Sequence, residues 1–590
     1  MHHPCFIYTI QKLDDDSVRI RLLRVIARLI DITSNYPRSL LQTLLGAYSM
    51  SLSPFDRSLQ VLFEAFEAQQ VNELTLSSFG FRFSASSTIS LSTKDSHNDL
   101  VDDSAWLLNG GLELNRIRAT IDDFPLDRKI STVDDVSLLQ LDVKQPEGEV
   151  EAMVETNSQV YDPAFLLPML SHFISSSNLS ERDIVQQGLL GIAIRATSSS
   201  VAAVREYAFG ILAHLHESLQ ATTEASSDFK AGRQVHLLLD VFRRKIQKPL
   251  EQVPSLITVF LNDALAVLVR PMHVLYPHVN HFLLARPAMD LLDVPMFYSL
   301  FNSRSPLTFR QERSWLLHTL RRGIRNDSDV MLLKRRHVLP MLLSFYSSEM
   351  ADTHTQPLIT SILLTALRAP SGYVYLVLKA GLLPWIAERC IELGAVIAKS
   401  DSKKDAAQLF SLVTLLEQAL QNSVWNALEA INQHTTALQT ISAFSAMHAA
   451  FTMRRTEFTT EYLAKASAVA VLVVRRAGII SPLELLLQAF KMVQDSKALE
   501  CADIVCSNLI QWILQQRHRD AQKTRFRDWA ILLQQVASIL VMWHSKGTVT
   551  QQQQARRSLN QLKAVLDQVP TLKQHVLSAD LKANYALALL

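Results

Sequence analysis

The sequence predicts an all-α protein, a degenerate HEAT- or armadillo-like α-solenoid with an acidic, partly disordered insertion. Three observations support this prediction. Apolar residues recur at intervals of three and four along most of the 590 residues, which places them on one face of a helix. Only 15 glycines occur, too few for a sheet-rich barrel or a glycine-rich nucleotide-binding enzyme. The helical blocks follow one another across short breaks without a fixed period, which favours a degenerate array of stacked helical hairpins over separate bundles.

The N-terminal segment, residues 1–83, is predicted to form the first helices. In residues 17–31 the apolar side chains face one way, and the acids at 14–16 favour the positive end of the helix dipole. Ser53 is placed as the N-cap of a second helix, with Pro54 in its first turn.

Residues 84–160 differ from the rest of the chain in composition. Residues 91–160 contain 15 Asp or Glu and 6 Lys or Arg, whereas the whole chain has a net charge of +2. We predict an acidic, poorly ordered insertion with short helices near 115–121 and 136–141. A solvated loop without a partner is the alternative.

The remaining chain is predicted to be helical throughout. Residues 161–400 form a helical-repeat region, and residues 401–590 form a C-terminal helical-repeat extension. Because no apolar run reaches the length of a membrane helix, and the N-terminus lacks the features of a secretory signal, we expect no membrane segment. Four cysteines are too few for a disulfide framework and favour a reducing compartment.

No motif in the sequence indicates catalysis. The spacings of phosphate-binding loops, nucleophile elbows and zinc proteases are absent. Cys501 and Cys506 lack a second cysteine pair, and His278 and His281 stand among apolar neighbours typical of a core. We therefore expect no metal, no cofactor, no small-molecule substrate and no enzymatic activity, although an unrecognised enzyme stays open.

Local positive charge is the strongest functional signal. Residues 301–340 contain nine Lys or Arg against three acids. With 312–325 as a helix, the predicted buried stripe is Leu316, Leu317, Leu320 and Ile324. His318, Arg321, Arg322 and Arg325 then share an adjoining sector.

Arginine and lysine side chains in such a sector favour contact with RNA phosphates. The predicted contact residues are Arg321, Arg322, Arg325, Lys334, Arg335 and Arg336. The alternative is a solvated face whose arginines pair with nearby acids such as Asp327 or Asp329.

A collinear set of segments resembles a known family. The set begins with YDPAFLLP (161–168) and FKAGRQVHLLLDVFRRKI (229–246). The earlier segment GAYSMSLSPFDRSLQ (46–60) is similar to the stretch that precedes this region in the family. The set continues with LYPHVNHFLLARPAMDLLDVPMF (275–297), ERSWLLHTLRRGIRNDSDV (312–330), LLSFYSS (342–348) and GLLPWI (381–386). In order and spacing these resemble the C-terminal region of the nucleolar pre-ribosomal-associated protein family, the Urb/Npa scaffold. Members of that family are longer, so the chain resembles a C-terminal portion of one.

The resemblance implies a non-catalytic α-solenoid scaffold in nucleolar assembly of the large ribosomal subunit. The partners it implies are pre-ribosomal RNA, assembly factors and an RNA helicase. A protein-only solenoid adaptor, of the transport or trafficking type and without an RNA role, is the alternative function. Trp315 and Trp385 are expected to anchor the helical core rather than to stack on bases.

Overall fold

The computed structural model describes most of the chain as far as residue 424. The described ranges are 4–11, 15–33, 38–69, 112–130, 159–175, 180–224, 229–397 and 403–424, with single positions at 135, 138 and 139 and others between 428 and 563. The protein divides into two compact units, Met1–Arg325 and Asn326–Leu590. This boundary falls inside the region 161–400 that the sequence predicts as one block.

Within the described ranges the fold is all-α, as predicted. The strand-like contact there is a single antiparallel bridge between Ser51 and Tyr161. Most helices of each unit pack against helices close to them in the chain. The solenoid arrangement of these helices stays a prediction.

The first unit contains fourteen described helices. They are α1 (Pro4–Gln11), α2 (Asp16–Thr33), α3 (Arg38–Leu45), α4 (Pro54–Gln69), α5 (Leu114–Asp122), α6 (Pro163–Ser175), α7 (Glu181–Gln186), α8 (Leu189–Ala196), α9 (Ala202–Glu224), α10 (Gly232–Arg243), α11 (Ser255–Leu268), α12 (Tyr276–Leu284), α13 (Phe297–Phe301) and α14 (Phe309–Gly323).

The second unit has α-helices and one π-helical turn, Tyr375–Lys379, in its described part. The α-helices are α15 (Asp327–Arg335), α16 (Val338–Tyr346), α17 (Thr355–Arg368), α18 (Pro370–Val374), α19 (Leu382–Ile397) and α20 (Lys403–Gln421).

Helix α11 is almost fully buried within the first unit. Its sequence SLITVFLNDALAVL is apolar on nearly every side, and almost all of its residues are buried. A helix of this kind needs neighbours all round it, and α8, α10, α12 and α14 supply them. Helix α14 comes close because Gly323 has no side chain: a Cβ there would lie 2.5 Å from Leu256 Cδ1.

The described part of the acidic segment is folded. Helix α5 confirms the short helix predicted near 115–121, and it packs against α8. Ile117 and Thr120 are buried there, and Gly188 and Gly191 of the α8 region leave room for Ile117 and Ile121. Asp135, Leu138 and Leu139 are also described, while the rest of 131–158 and all of 84–111 lie outside the described residues.

The two tryptophans predicted as core anchors pack against aromatic rings. Trp315 meets Phe260 edge-on at 6.0 Å between ring centroids, within the first unit. In the second unit Trp385 meets Tyr346 at 5.1 Å, and its indole N–H donates to Ser347 Oγ at 3.0 Å.

In the part of the chain that the structure describes, no single helix has both the length and the apolarity to span a membrane. Helix α17 and the segment Pro370–Lys379 meet that criterion only as a pair, which is bent by 112°.

Candidate nucleic-acid interface

Helix α14 carries the first half of the predicted basic site. It spans Phe309–Gly323, slightly earlier than the predicted 312–325. The predicted stripe of Leu316, Leu317, Leu320 and Ile324 is buried. Because these four side chains are buried inside the first unit, the other side of α14 faces outward.

The outward side of α14 is polar and carries no acid. It consists of Gln311, Ser314, His318 and Arg321, which follow one another at helical spacing. Burial lowers the pKa of His318, and the positive charges of Arg321 and Arg322 lower it further. This ridge therefore presents uncharged donors and a permanent cation to the solvent.

Arg322 is not part of that free ridge, because two carboxylates hold it. It donates from Nη1 to Asp122 Oδ1 at 2.6 Å and from Nη2 to both oxygens of Asp263, at 2.5 and 2.6 Å. Its side chain is 33% exposed and that of Asp263 is 12% exposed. Burial disfavours the charged guanidinium, but the two carboxylates outweigh it and raise the pKa of Arg322. Thr319 also donates to Asp263, at 2.5 Å.

Arg325 reaches the same end of α5. Its Nη2 donates to the Asp122 carbonyl and to Asp123 Oδ1, both at 2.5 Å. The sequence named Asp327 and Asp329 as possible acid partners, whereas the acids that pair with Arg322 and Arg325 come from helix α5 and the residue after it, and from α11. In the second unit, Asp327 accepts from the Ser371 N–H at 2.9 Å, and Asp329 accepts from the Asn326 N–H at 3.0 Å to cap α15.

Arg321 differs from these two arginines. Its side chain is exposed, and it makes no ion pair with any residue in the described ranges. Of Arg321, Arg322 and Arg325, Arg321 is the one that makes no ion pair with a described residue.

The second half of the predicted site belongs to the second unit. Lys334 and Arg335 lie in the last turn of α15, where positive charge complements the helix dipole. The Lys334 ammonium stands over the Tyr375 ring at 5.8 Å from its centroid, and Arg336 is half-buried after the helix end. Arg335 is exposed and has no ion-pair partner among the described residues.

Sequence reasoning missed a buried polar network in the first unit. Arg128 binds Asp162 through two nitrogens, at 3.0 and 2.8 Å, and binds Asp135 at 2.6 Å. Arg57 pairs with the other oxygen of Asp135. The sequence shows only that charged residues stand beside apolar ones. It does not show that they pair, because the four side chains come from three segments that are far apart in the chain.

A second part of this network joins the lead-in segment to the start of the family-like region. The Leu52 N–H donates to the Val160 carbonyl and the Asp162 N–H to the Met50 carbonyl, at 3.3 and 2.8 Å. Asp56 is buried beside them and accepts from the Ser51 N–H and hydroxyl. The segments 46–60 and 161–168, more than one hundred residues apart, therefore form one structural piece.

Of the two residue pairs that the sequence offers as candidate metal ligands, the structure describes the histidine pair, and the cysteine pair lies outside the described residues. His278 Nε2 lies 3.5 Å from Glu312 Oε1, at the start of α14. Cys501 and Cys506 lie outside the described residues. Among the residues that are described, no group of three or more His, Cys, Asp or Glu side chains could hold a metal ion.

Comparisons with known proteins identify the family that this chain resembles. Residues 190–385 match the family model of nucleolar pre-ribosomal-associated protein 1. The mouse protein of that name is 27% identical over 398 residues, and the human protein is 26% identical over 405 residues. Each match covers 65% of this chain but only 17% of the relative. No solved structure matches the chain. The predicted resemblance to this family is thereby confirmed, with residues 190–385 matched by the family model.

Proposed function

We propose that this chain is a non-catalytic α-solenoid scaffold in nucleolar assembly of the large ribosomal subunit, where it binds pre-ribosomal RNA and assembly factors. The observation that carries this proposal is the match of residues 190–385 to nucleolar pre-ribosomal-associated protein 1. Both relatives bear that name, which supports a nucleolar location and a role in ribosome biogenesis. The chain spans about 17% of their length, so the proposal concerns one segment of such a scaffold.

The helix packing is compatible with a solenoid. In each unit the main helix contacts join elements that are close in the chain, such as α11 with α14 and α17 with α20. Repeats that contact mainly their neighbours leave long surfaces open to several partners at once. A scaffold with many partners needs such surfaces.

The exposed cations support RNA contact at a smaller set of residues than the six first considered. Arg321 and Arg335 present charges without an acid partner in the described ranges, and His318 adds a hydrogen-bonding ring beside Arg321. Arg322 and Arg325 already have carboxylate partners in α5, Asp123 and α11. We therefore assign the primary phosphate contacts to Arg321 and Arg335, with Lys334 and Arg336 supporting the latter.

A protein-only adaptor is the second candidate function. The ion pairs of Arg322 and Arg325 favour it, because they use the densest basic group to hold the fold together rather than to bind RNA. Ultraviolet crosslinking in cells, followed by mass spectrometry, separates the two functions. The RNA scaffold predicts a tagged chain in the nucleolus and RNA-crosslinked peptides from residues 301–340. Nucleolar exclusion, or abundant chain without any RNA crosslink, would favour the adaptor.

A further inference from the structure

The apolar side chains of helix α2, which the sequence predicts to face one way, form two faces, and the described residues cover only one of them. Ile20, Leu23, Ile26 and Ile30 are buried, and α2 packs against α4. A second stripe on the helix is exposed to solvent. It consists of Val18 (39% exposed), Val25 (49%), Leu29 (50%) and Ile32 (69%).

The exposed stripe has the spacing of a helix-packing surface. Its members are seven, four and three residues apart, so at 3.6 residues per turn they lie in one row. From Val18 to Ile32 the row is roughly 21 Å long, because each helical residue rises about 1.5 Å. Such a row matches the apolar side of another helix of about four turns.

Positive charges border this row along one edge. Arg21 precedes Val25 by four residues and Arg28 precedes Ile32 by four, and both arginines are exposed. A partner helix would place its own flanking residues against them, as the flanking charges of paired helices do. Acidic residues seven apart on the partner would complement Arg21 and Arg28.

A second copy of this chain is a poor occupant of the face. An antiparallel symmetric pair of α2 helices would bring the two arginine edges together, and like charges repel. The other edge of the row, marked by Leu22 and Thr33, carries no acid within α2. Asp16 pairs with Arg19, and Asp31 lies on the opposite side of the helix from Leu29.

The geometry points to α2 as a docking surface for an acidic amphipathic helix of a partner protein, with Val18, Val25, Leu29 and Ile32 as the contact row and Arg21 and Arg28 as the charge selectors. This interaction is independent of RNA binding by Arg321 and Arg335. It gives the scaffold a separate site for a protein partner.

Two synthetic peptides of about 18 residues test the proposal on the full chain. Both carry leucines at the complementary spacing; one places Glu beside them and the other places Lys. Fluorescence anisotropy should show binding of the Glu peptide, weakened about tenfold by Leu29→Gln. Leu284→Gln, at an exposed leucine on α12 (67% exposed, against 50% for Leu29), is the control and should leave binding unchanged. The double variant Arg21→Glu/Arg28→Glu should bind the Lys peptide in preference.

Three results would overturn the proposal. Failure of both peptides to bind would show that the face is not open to a partner helix. Equal binding of both peptides, unaffected by Leu29→Gln, would place their site elsewhere. Light scattering that finds a dimer of the unsubstituted chain, converted to a monomer by Leu29→Gln, would assign the face to a second copy. Because the substituted side chains are exposed, the variants should keep the unfolding midpoint of the parent chain.

Discussion

Arg322 and Asp122 are 200 residues apart in the chain, and their side chains form an ion pair of 2.6 Å. The pair joins α14 to the C-terminal end of α5, in the middle of the segment that the sequence marks as an acidic insertion. Arginines that the sequence predicts to contact RNA therefore form ion pairs with carboxylates of the segment that the sequence predicts to be poorly ordered. The ion pairs thus separate the arginines that stabilise the fold from those whose charge is open to an anion.

Arg322→Gln should lower the free energy of unfolding by about 2 kcal/mol, since it leaves the largely buried Asp263 carboxylate without its cationic partner. Arg321→Gln should change it by no more than about 0.5 kcal/mol, because that side chain is exposed. Urea unfolding of the two variants measures the difference. Equal stability of both variants would contradict a structural role for Arg322.

Arg321→Gln and Arg335→Gln should each weaken RNA binding and flatten its salt dependence, by a slope of about 0.7 to 0.9 per lost phosphate contact. Filter binding at several salt concentrations measures that slope. Arg244→Gln removes one positive charge elsewhere, from an arginine already paired with Asp240 at 2.7 Å, and serves as the control. Identical slopes for all three variants would place the RNA contacts outside α14 and α15.

The double variant Asp122→Asn/Asp123→Asn should increase RNA affinity, because it removes two negative charges that pair with Arg322 and Arg325. The expected gain is about two- to tenfold at low salt. The same variant should unfold at lower urea. An unchanged affinity would show that phosphates do not approach this end of α5.

Gly323→Ala should destabilise the first unit by about 2 kcal/mol or more, because the added methyl group would lie 2.8 Å from the Leu256 Cα. Gly210→Ala in α9 is the matched control: apart from the adjoining backbone of its own helix, no atom lies within 4 Å of the position of its Cβ. There alanine should stabilise by about 0.5–1 kcal/mol through helix propensity. Thermal unfolding compares the two, and a neutral Gly323→Ala would mean that α14 can move away from α11.

The first unit should lose stability in mild acid through His216. Burial lowers the pKa of His216, and His236, stacked at 4.6 Å, and Arg243 lower it further, whereas Asp240 and Glu217 oppose them. The unfolded chain, with an ordinary histidine pKa of about 6.5, then binds a proton that the folded chain resists. Stability should therefore fall as the pH drops through that value. His216→Gln should reduce the fall between neutral pH and pH about 5.5, and an unaltered pH profile would contradict the mechanism.

The all-α class, the buried stripe of α14 and the helix near 115–121 could be predicted from the sequence alone. Each depends on periodicity over one or a few helical turns, which neighbouring residues determine together. Leu316, Leu320 and Ile324 are buried for the reason their spacing indicates. The order of the family-like segments could also be recognised without a structure.

Only the tertiary structure decided which charges are available. Composition marks residues 84–160 as acidic but cannot show that Ile117 and Thr120 are buried or that Asp122 and Asp123 meet Arg322 and Arg325. The partners of an arginine are chosen by the fold, because Coulomb attraction acts on distance in space and not on separation in sequence. The open row on α2 also needed the tertiary structure, because the sequence does not show which of the two apolar rows packs against α4.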